Sequence, residues 1–234
     1  PDLHDFVEGM RLLLAPGGTI TIEVPHLLRL VEDNQFDTIY HEHFSYFSLM
    51  TATRLLAAHA LTLFHVEELP THGGSLRLFA RHAADTSRPV SEPVAALHAR
   101  EIAAGVDRLD FYTAFPAKVA HTKRQLLTFL MRAKQDGKSV VGYGAPGKGN
   151  TLLNYCGIRT DFLDYTVDLS PYKQGLFLPG TRIPILHPDR IFETKPDFVL
   201  ILPWNIKEEI MNQMAAVRDW GCRFIVPSPT VQVY

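Results

Sequence analysis

The stretch FDTIYHEHFSYFS, residues 36–48, places Tyr40, His41, Glu42 and His43 side by side. An imidazole next to a carboxylate has its tautomer fixed and its proton affinity raised, which suits it to take a proton from a carbon beside a carbonyl. Tyr40 could then donate a hydrogen bond to the enolate oxygen that such a step creates. A plainer reading stands beside this one, in which tyrosine and histidine ends simply satisfy hydrogen bonds in a mixed loop. His41-x-His43 could also ligate zinc with Glu42 nearby. No third ligand stands at a recognised spacing and the H-E-x-x-H pattern is missing, so no metal site is expected.

A second chemistry-bearing stretch is VVGYGAPGKGN, residues 140–150. Gly142-x-Gly144-x-x-Gly147 after two valines is the pattern of a strand that turns into a helix around a phosphate. The glycines let the backbone approach a diphosphate, and the free N–H groups at the helix start point at its charge. Lys148 stands where it could add a cation, and Asp168, closing the strand YTVD, stands about where an acidic residue meets a ribose hydroxyl in the dinucleotide fingerprint. Read alone, the turn is a nicotinamide site, and a tight strand–helix turn also wants glycine for steric reasons only. Pro146 and Lys148 crowd the turn, and SPYKQGLFLPGTRIPI, residues 170–185, is a loop that could close over a ligand's far end. A third stretch, THGGSLR, residues 71–77, puts Gly73 and Gly74 at a hairpin tip with His72, Ser75 and Arg77 as a polar rim fit for a sugar or phosphate.

The elements that must hold these residues follow from periodicity. HDFVEGMRLLL has apolar residues at helical spacing, APGG stops it, and TITIEVP alternates as a strand. Ser48 can cap a helix through LMTATRLLAAHA. LTLFHVEEL and SLRLFARH read as a hairpin about PTHGG. Pro89 to about Gly137 is helical, with Pro116 as a break or first-turn residue. Beyond it, strands in SVVGYGA, FLDYTVDLS, RIPIL, PDFVLILPW and RFIVPSP alternate with helices in KGNTLLNYCG, PDRIFETK and IKEEIMNQMAAVRDWG. That alternation predicts an open α/β sheet built from right-handed parallel units.

Composition narrows the classes. The chain has 234 residues, 46% hydrophobic and 21% charged, which is ordinary for a globular protein, and its net charge of -2 offers no basic excess for a nucleic-acid backbone. Two cysteines far apart, Cys156 and Cys222, make neither a disulfide framework nor a zinc set and are expected to be buried thiols. With no long apolar run and no signal pattern, a soluble cytoplasmic protein without membrane partners is the expectation. The chain opens on Pro1 rather than Met, so upstream residues are expected.

These stretches together resemble a family. LLLAPGGTITIEVP is similar to the late helix and fifth strand of class I S-adenosylmethionine (SAM) methyltransferases, and the helix and hairpin that follow resemble their final helix and antiparallel strand pair. YHEHFSYFS, THGGSLR, GYGAPGKGNTLLNYCGI and DLSPYKQGLFLPGTRIPI are similar to signature stretches of nucleotide-sugar C-methyltransferases, over almost the whole chain. The resemblance implies an α/β protein. Residues 1–85 would be the C-terminal part of a SAM methyltransferase domain, 86–137 a helical connector, and 138–234 a Rossmann-like nucleotide-sugar-binding domain.

It further implies that His43, partnered by Glu42, takes the proton beside a sugar ketone, that Tyr40 orients the substrate or stabilises its enolate, and that the enolate carbon attacks the SAM methyl. The diphosphate of the keto-sugar nucleotide would be a handle. Gly142, Tyr143, Gly144, Ala145, Lys148, Gly149, Asn150, Asp168 and Lys173 would contact it, with His72, Gly73, Gly74, Ser75 and Arg77 on the other side. The glycine-rich SAM turn and the zinc cysteines of the family are missing. The SAM pocket and the zinc are therefore expected mostly or wholly outside this chain, the isolated chain is expected to be inactive, and its incomplete sheet could self-associate. The competing classes are an NAD(P)-dependent oxidoreductase using the turn at 142–147, and a binding module without chemistry.

Overall fold

A computed structural model describes residues 2–234, which divide into two units: residues up to 32 with 43–115, and residues 33–42 with 116–234. The first unit opens with α1 (Leu3–Leu13), N-capped by Asp2, whose carboxylate accepts from the amides of His4 and Asp5. Strand β1 (Ile20–Pro25) follows, then α2 (Leu27–Glu32), a short helix that the periodicity did not announce. At six residues it is too short to stand on propensity and depends on burying Leu28, Leu30 and Val31. Helix α3 (Leu49–Ala58) begins at Ser48, whose hydroxyl accepts from the Thr51 amide at 3.0 Å, the cap that the sequence announced.

Strands β2 (Leu61–Leu69) and β3 (Ser75–His82) form the expected hairpin, and β1 pairs antiparallel with β3 to give the order β1-β3-β2. Inward residues alternate as a half-buried sheet demands, with Leu61, Leu63, Leu76, Leu78 and Ala80 packed against Leu49, Leu56 and Val7. Helices α4 (Glu92–Ala104) and α5 (Leu109–Thr113) complete the unit. α4 supplies Glu101, which is fully buried and accepts from the amides of Leu49 at 2.7 Å and Met50 at 2.9 Å. A carboxylate on two orphan amides at a helix start is a charge-assisted cap, and it fixes where the 43–48 stretch enters α3.

The second unit takes α6 (Phe115–Gln135), with Pro116 in its first turn. The helical stretch expected as a separate connector is thus divided, α4 and α5 in the first unit and α6 in the second. Then come β4 (Val140–Tyr143), α7 (Gly147–Cys156), β5 (Thr166–Val167), β6 (Ile185–Leu186), α8 (Asp189–Thr194), β7 (Phe198–Ile201), α9 (Lys207–Gln213), β8 (Arg223–Val226) and β9 (Gln232–Val233). The sheet order is β6-β5-β4-β7-β8-β9, parallel throughout except for β9, which returns antiparallel on β8.

Every residue of β4 and β7 is buried, as parallel strands covered on both faces must be. Two sequence-based expectations need correction. The helix read from IKEEIMNQMAAVRDWG ends as α9 at Gln213 and continues as a 3-10 turn over Ala215–Trp220, where the tighter winding keeps Val217 in the core beside Met214. FLDYTVDLS is a strand only at Thr166–Val167, because Asp168 turns away to serve the glycine turn. Cys156 and Cys222 are buried free thiols, which burial pushes up to about 11 and about 12. No helix among the described residues is long and apolar enough to cross a membrane.

Candidate functional site

Strand β4 lies between β5 and β7, so chain connections leave it in opposite directions on its two sides. That reversal is where open α/β sheets form their crevice, and the glycine turn leaves β4 at this point. Gly144 has φ of +89°, and a Cβ there would stand 2.6 Å from Pro203 Cδ, so no other residue fits without strain. Gly149 lets α7 pack on the sheet, since a Cβ would meet Leu202 Cβ at 2.7 Å. No side chain caps α7, whose N-cap is Pro146, and this leaves the first amides of the helix to other partners.

Asp168 does not wait for a ligand. Its Oδ2 accepts from the Ala145 amide at 2.7 Å and from Lys173 Nζ at 3.2 Å, and its Oδ1 accepts from the Ser170 amide at 2.9 Å. Lys173 Nζ also donates to the Ala145 carbonyl at 3.0 Å. Asp168 and Lys173 together clasp the turn to the loop after β5. Tyr143 is a core side chain whose hydroxyl donates to Gln213 at 3.0 Å, and Asn150 is tied to Asn154 one turn on.

Lys148, the second residue of α7, is 8% exposed. Its Nζ donates to Asn205 Oδ1 at 2.8 Å and stands 4.6 Å from the centroid of the Trp204 ring. Burial lowers its affinity for a proton, and the nearby Asp37 carboxylate opposes that shift. Asp37 is 1% exposed and accepts from the Trp204 indole N–H at Oδ2, 2.7 Å away. Burial raises it to about 6, against the pull of Trp204 and Lys148.

Tyr40 shares this unit. The Cβ position of Gly147 lies 3.4 Å from ring atoms Cε2 and Cζ of Tyr40, so the phenol end of the ring sits at the first residue of α7. Burial, then Glu42 and Asp37, raise the phenol above its ordinary range. It is therefore a protonated donor at neutral pH.

The boundary between the units falls between Glu42 and His43. Glu42 is exposed in the second unit, and His43 is half-buried in the first, its ring centroid 6.0 Å from that of Tyr46. In the first unit His72 is exposed at a φ of +55°, in the turn that also contains Gly73 and Gly74. Ser75 is buried and bonded to Thr71, and Arg77 faces Glu23 at 3.3 Å and Glu67 at 3.4 Å, its partners on the two flanking strands. Among the described residues no three His, Cys, Asp or Glu side chains are grouped so as to hold a metal ion.

Sequence reasoning missed Asp37, Trp204 and Asn205. Asp37 stands three residues before Tyr40 in the stretch already singled out, but an acidic residue there reads as solvated until its burial is seen. Trp204 and Asn205 follow the last buried residues of β7 at the carboxyl end of the sheet, a position that could have flagged them.

Two comparisons bear on identity. A family described as "C-methyltransferase C-terminal domain" matches residues 70–229. The chain is also 40% identical, over 233 residues, to a C-methyltransferase, NovU, of Streptomyces niveus, which it covers over 55% of that protein's length. The match takes in 100% of this chain, so the chain spans about half of that relative.

Proposed function

The chain belongs to the C-methyltransferase family, and from that premise we propose that it holds a nucleotide-linked keto sugar for methylation at carbon, by a diphosphate handle on the β4–α7 turn. The observation that carries this reading is the Asp168 clasp. A nicotinamide dinucleotide needs an acidic acceptor for its ribose at this point, and Asp168 already receives three donors from its own turn and loop. A diphosphate needs only the uncapped amides at the start of α7 and the positive end of its dipole.

In the same reading Tyr40, seated at Gly147 beside those amides, donates its phenol proton to a sugar oxygen and stabilises the charge that an enolate places there. His43 takes the proton from the carbon next to the ketone, with Glu42 as its carboxylate partner. His72, Gly73, Gly74, Ser75 and Arg77 belong to the turn and strand start of the first unit, where Ser75 and Arg77 already have protein partners. Of these, His72 is exposed.

Methyltransferase families use SAM in general, and membership carries that expectation to this one. The strand that the resemblance aligns with the fifth of that fold, β1, is not the one whose turn would cradle it, and no residue described above is assigned to holding it. No step proposed for these residues passes through SAM.

Calorimetric titration of the chain with thymidine diphosphate and with NADH tests the handle. The expected result is saturable binding of the diphosphate and none of NADH. NADH binding that thymidine diphosphate cannot displace would reverse the assignment.

A further inference from the structure

The segment 33–42 is docked on the second unit by four contacts in sequence. Asn34 Nδ2 donates to Thr122 Oγ1 on α6 at 2.8 Å, and Phe36 packs edge-on against Tyr155 at 5.3 Å. Asp37 accepts from Trp204, and Tyr40 lies on Gly147. Three of these are ordinary docking contacts, whereas the contact at Asp37 is of another kind. A buried carboxylate with Oδ1 lacking any hydrogen-bond partner is an expensive way to hold a loop that Phe36 already anchors.

What the carboxylate adds is direction. With its N–H on Asp37, the indole presents its face to Lys148 Nζ, 4.6 Å from the ring centroid, and that ammonium also donates to Asn205. One ring therefore ties the Tyr40 segment to the second residue of α7.

We propose that Asp37 and Trp204 are positioning residues for the diphosphate site: the set Asp37–Trp204–Lys148 fixes Tyr40 and the start of α7 in register, so that phenol and amides meet one ligand together. This deepens the handle reading and rests on it. The titratable groups facing Asp37 are Lys148 on α7, Tyr40 on its own segment and Cys156 at the end of α7. A pH-dependent change that Asp37→Asn removes is the part that belongs to Asp37.

The test uses the whole chain and thymidine diphosphate. Only two tryptophans are present, and the indole of Trp220 donates to Pro196 at 3.1 Å, so two indole N–H resonances report separately. In the unsubstituted chain the Trp204 resonance should move with pH about a midpoint near 6, an inflection that Asp37→Asn removes. Saturation with thymidine diphosphate should shift the Trp204 resonance and leave that of Trp220 in place. Trp204→Phe keeps a ring face for Lys148 but removes the donor to Asp37. It should weaken binding about tenfold, whereas Asp37→Asn, which keeps an acceptor, should stay within about threefold.

If thymidine diphosphate binds, the Trp204 resonance stays unmoved and Trp204→Phe binds as tightly as the parent, the positioning role is overturned while the handle stands. A chain that binds no thymidine diphosphate overturns the handle and this proposal with it. Should Trp204→Phe fail to fold, the ligand-induced shift in the parent chain decides alone: present, it supports the role; absent, it ends it.

Discussion

The two units use their polar groups to different ends. In the first, the buried Glu101 caps α3, and other charged side chains pair across the strands and helices of a small antiparallel sheet in exposed or half-exposed positions: Arg77 with Glu23 and Glu67, Arg100 with Glu68, Arg11 with Glu8. Pairs of that kind are screened by solvent and shape solubility more than fold. In the second unit the polar groups near the β4–α7 turn are drawn inward: Asp37, Trp204, Lys148 and Asn205 around one indole, and Asp168 on the turn's own backbone. A fold that needed only stability would fill such a place with apolar side chains, so the contrast points to the second unit as the place where a ligand is held.

The contrast can be broken most forcefully at Gly144. Alanine there takes on left-handed strain and a clash with Pro203, and should cost the second unit about 4 kcal/mol, read as a fall in the urea midpoint followed by the fluorescence of Trp204 and Trp220, both in that unit. The same substitution at Gly9, which has open space around it and lies within α1, should leave that midpoint in place.

Acid separates the units next, with opposite signs. His26 in the first unit is buried and held neutral, burial lowering it from 6.5 to about 4. Folded and unfolded chains bind the same protons above pH 6.5, but below it the unfolded imidazole charges first. Stability is then lost as pH falls from 6.5 toward 4, on the order of 3 kcal/mol in all. Asp37 in the second unit is raised from 3.8 to about 6. Between those values the folded state holds the extra proton, so the second unit gains stability as pH falls through 6, by something under about 3 kcal/mol. Amide exchange at pH 7.5 and pH 5 should show protection falling in β1–β3 while it holds or rises in β4, β5 and β7. The same direction in both units would contradict the account.

Asp37→Asn sharpens the point. It removes a desolvated charge, so at pH 7.5 it should raise the second unit's urea midpoint, by an amount that shrinks to nothing below pH 4. The smallest effect belongs to Arg77→Ala, whose two ion pairs are about 40% exposed on the arginine side; its cost should stay under about 1 kcal/mol and fade in high salt.

Much of this architecture was legible in the chain, for physical reasons that differ by element. The hairpin of β2 and β3 was visible because a half-buried antiparallel pair alternates, and α3 because Ser48 caps it. The glycine turn was visible because a tight turn from strand to helix tolerates little else. What stayed hidden depends on tertiary partners. The six residues of α2 fold only against their neighbours, and nothing local marks Asp37 as buried or pairs it with a tryptophan 167 positions away. Asp168 was legible as important, but its partner is the Ala145 amide, and a backbone donor leaves no trace in a pattern of side chains.

The claim on which all this depends is that the start of α7 receives a diphosphate with Tyr40 beside it. A crystal structure of the chain soaked with a thymidine-diphosphate sugar tests it most directly. The account predicts phosphate oxygens on the amides of residues 147–149, the sugar end toward the Tyr40 hydroxyl, and Asp168 still clasped to Ala145. Phosphates bound elsewhere, or an Asp168 released from Ala145 to accept from a ribose, would contradict it.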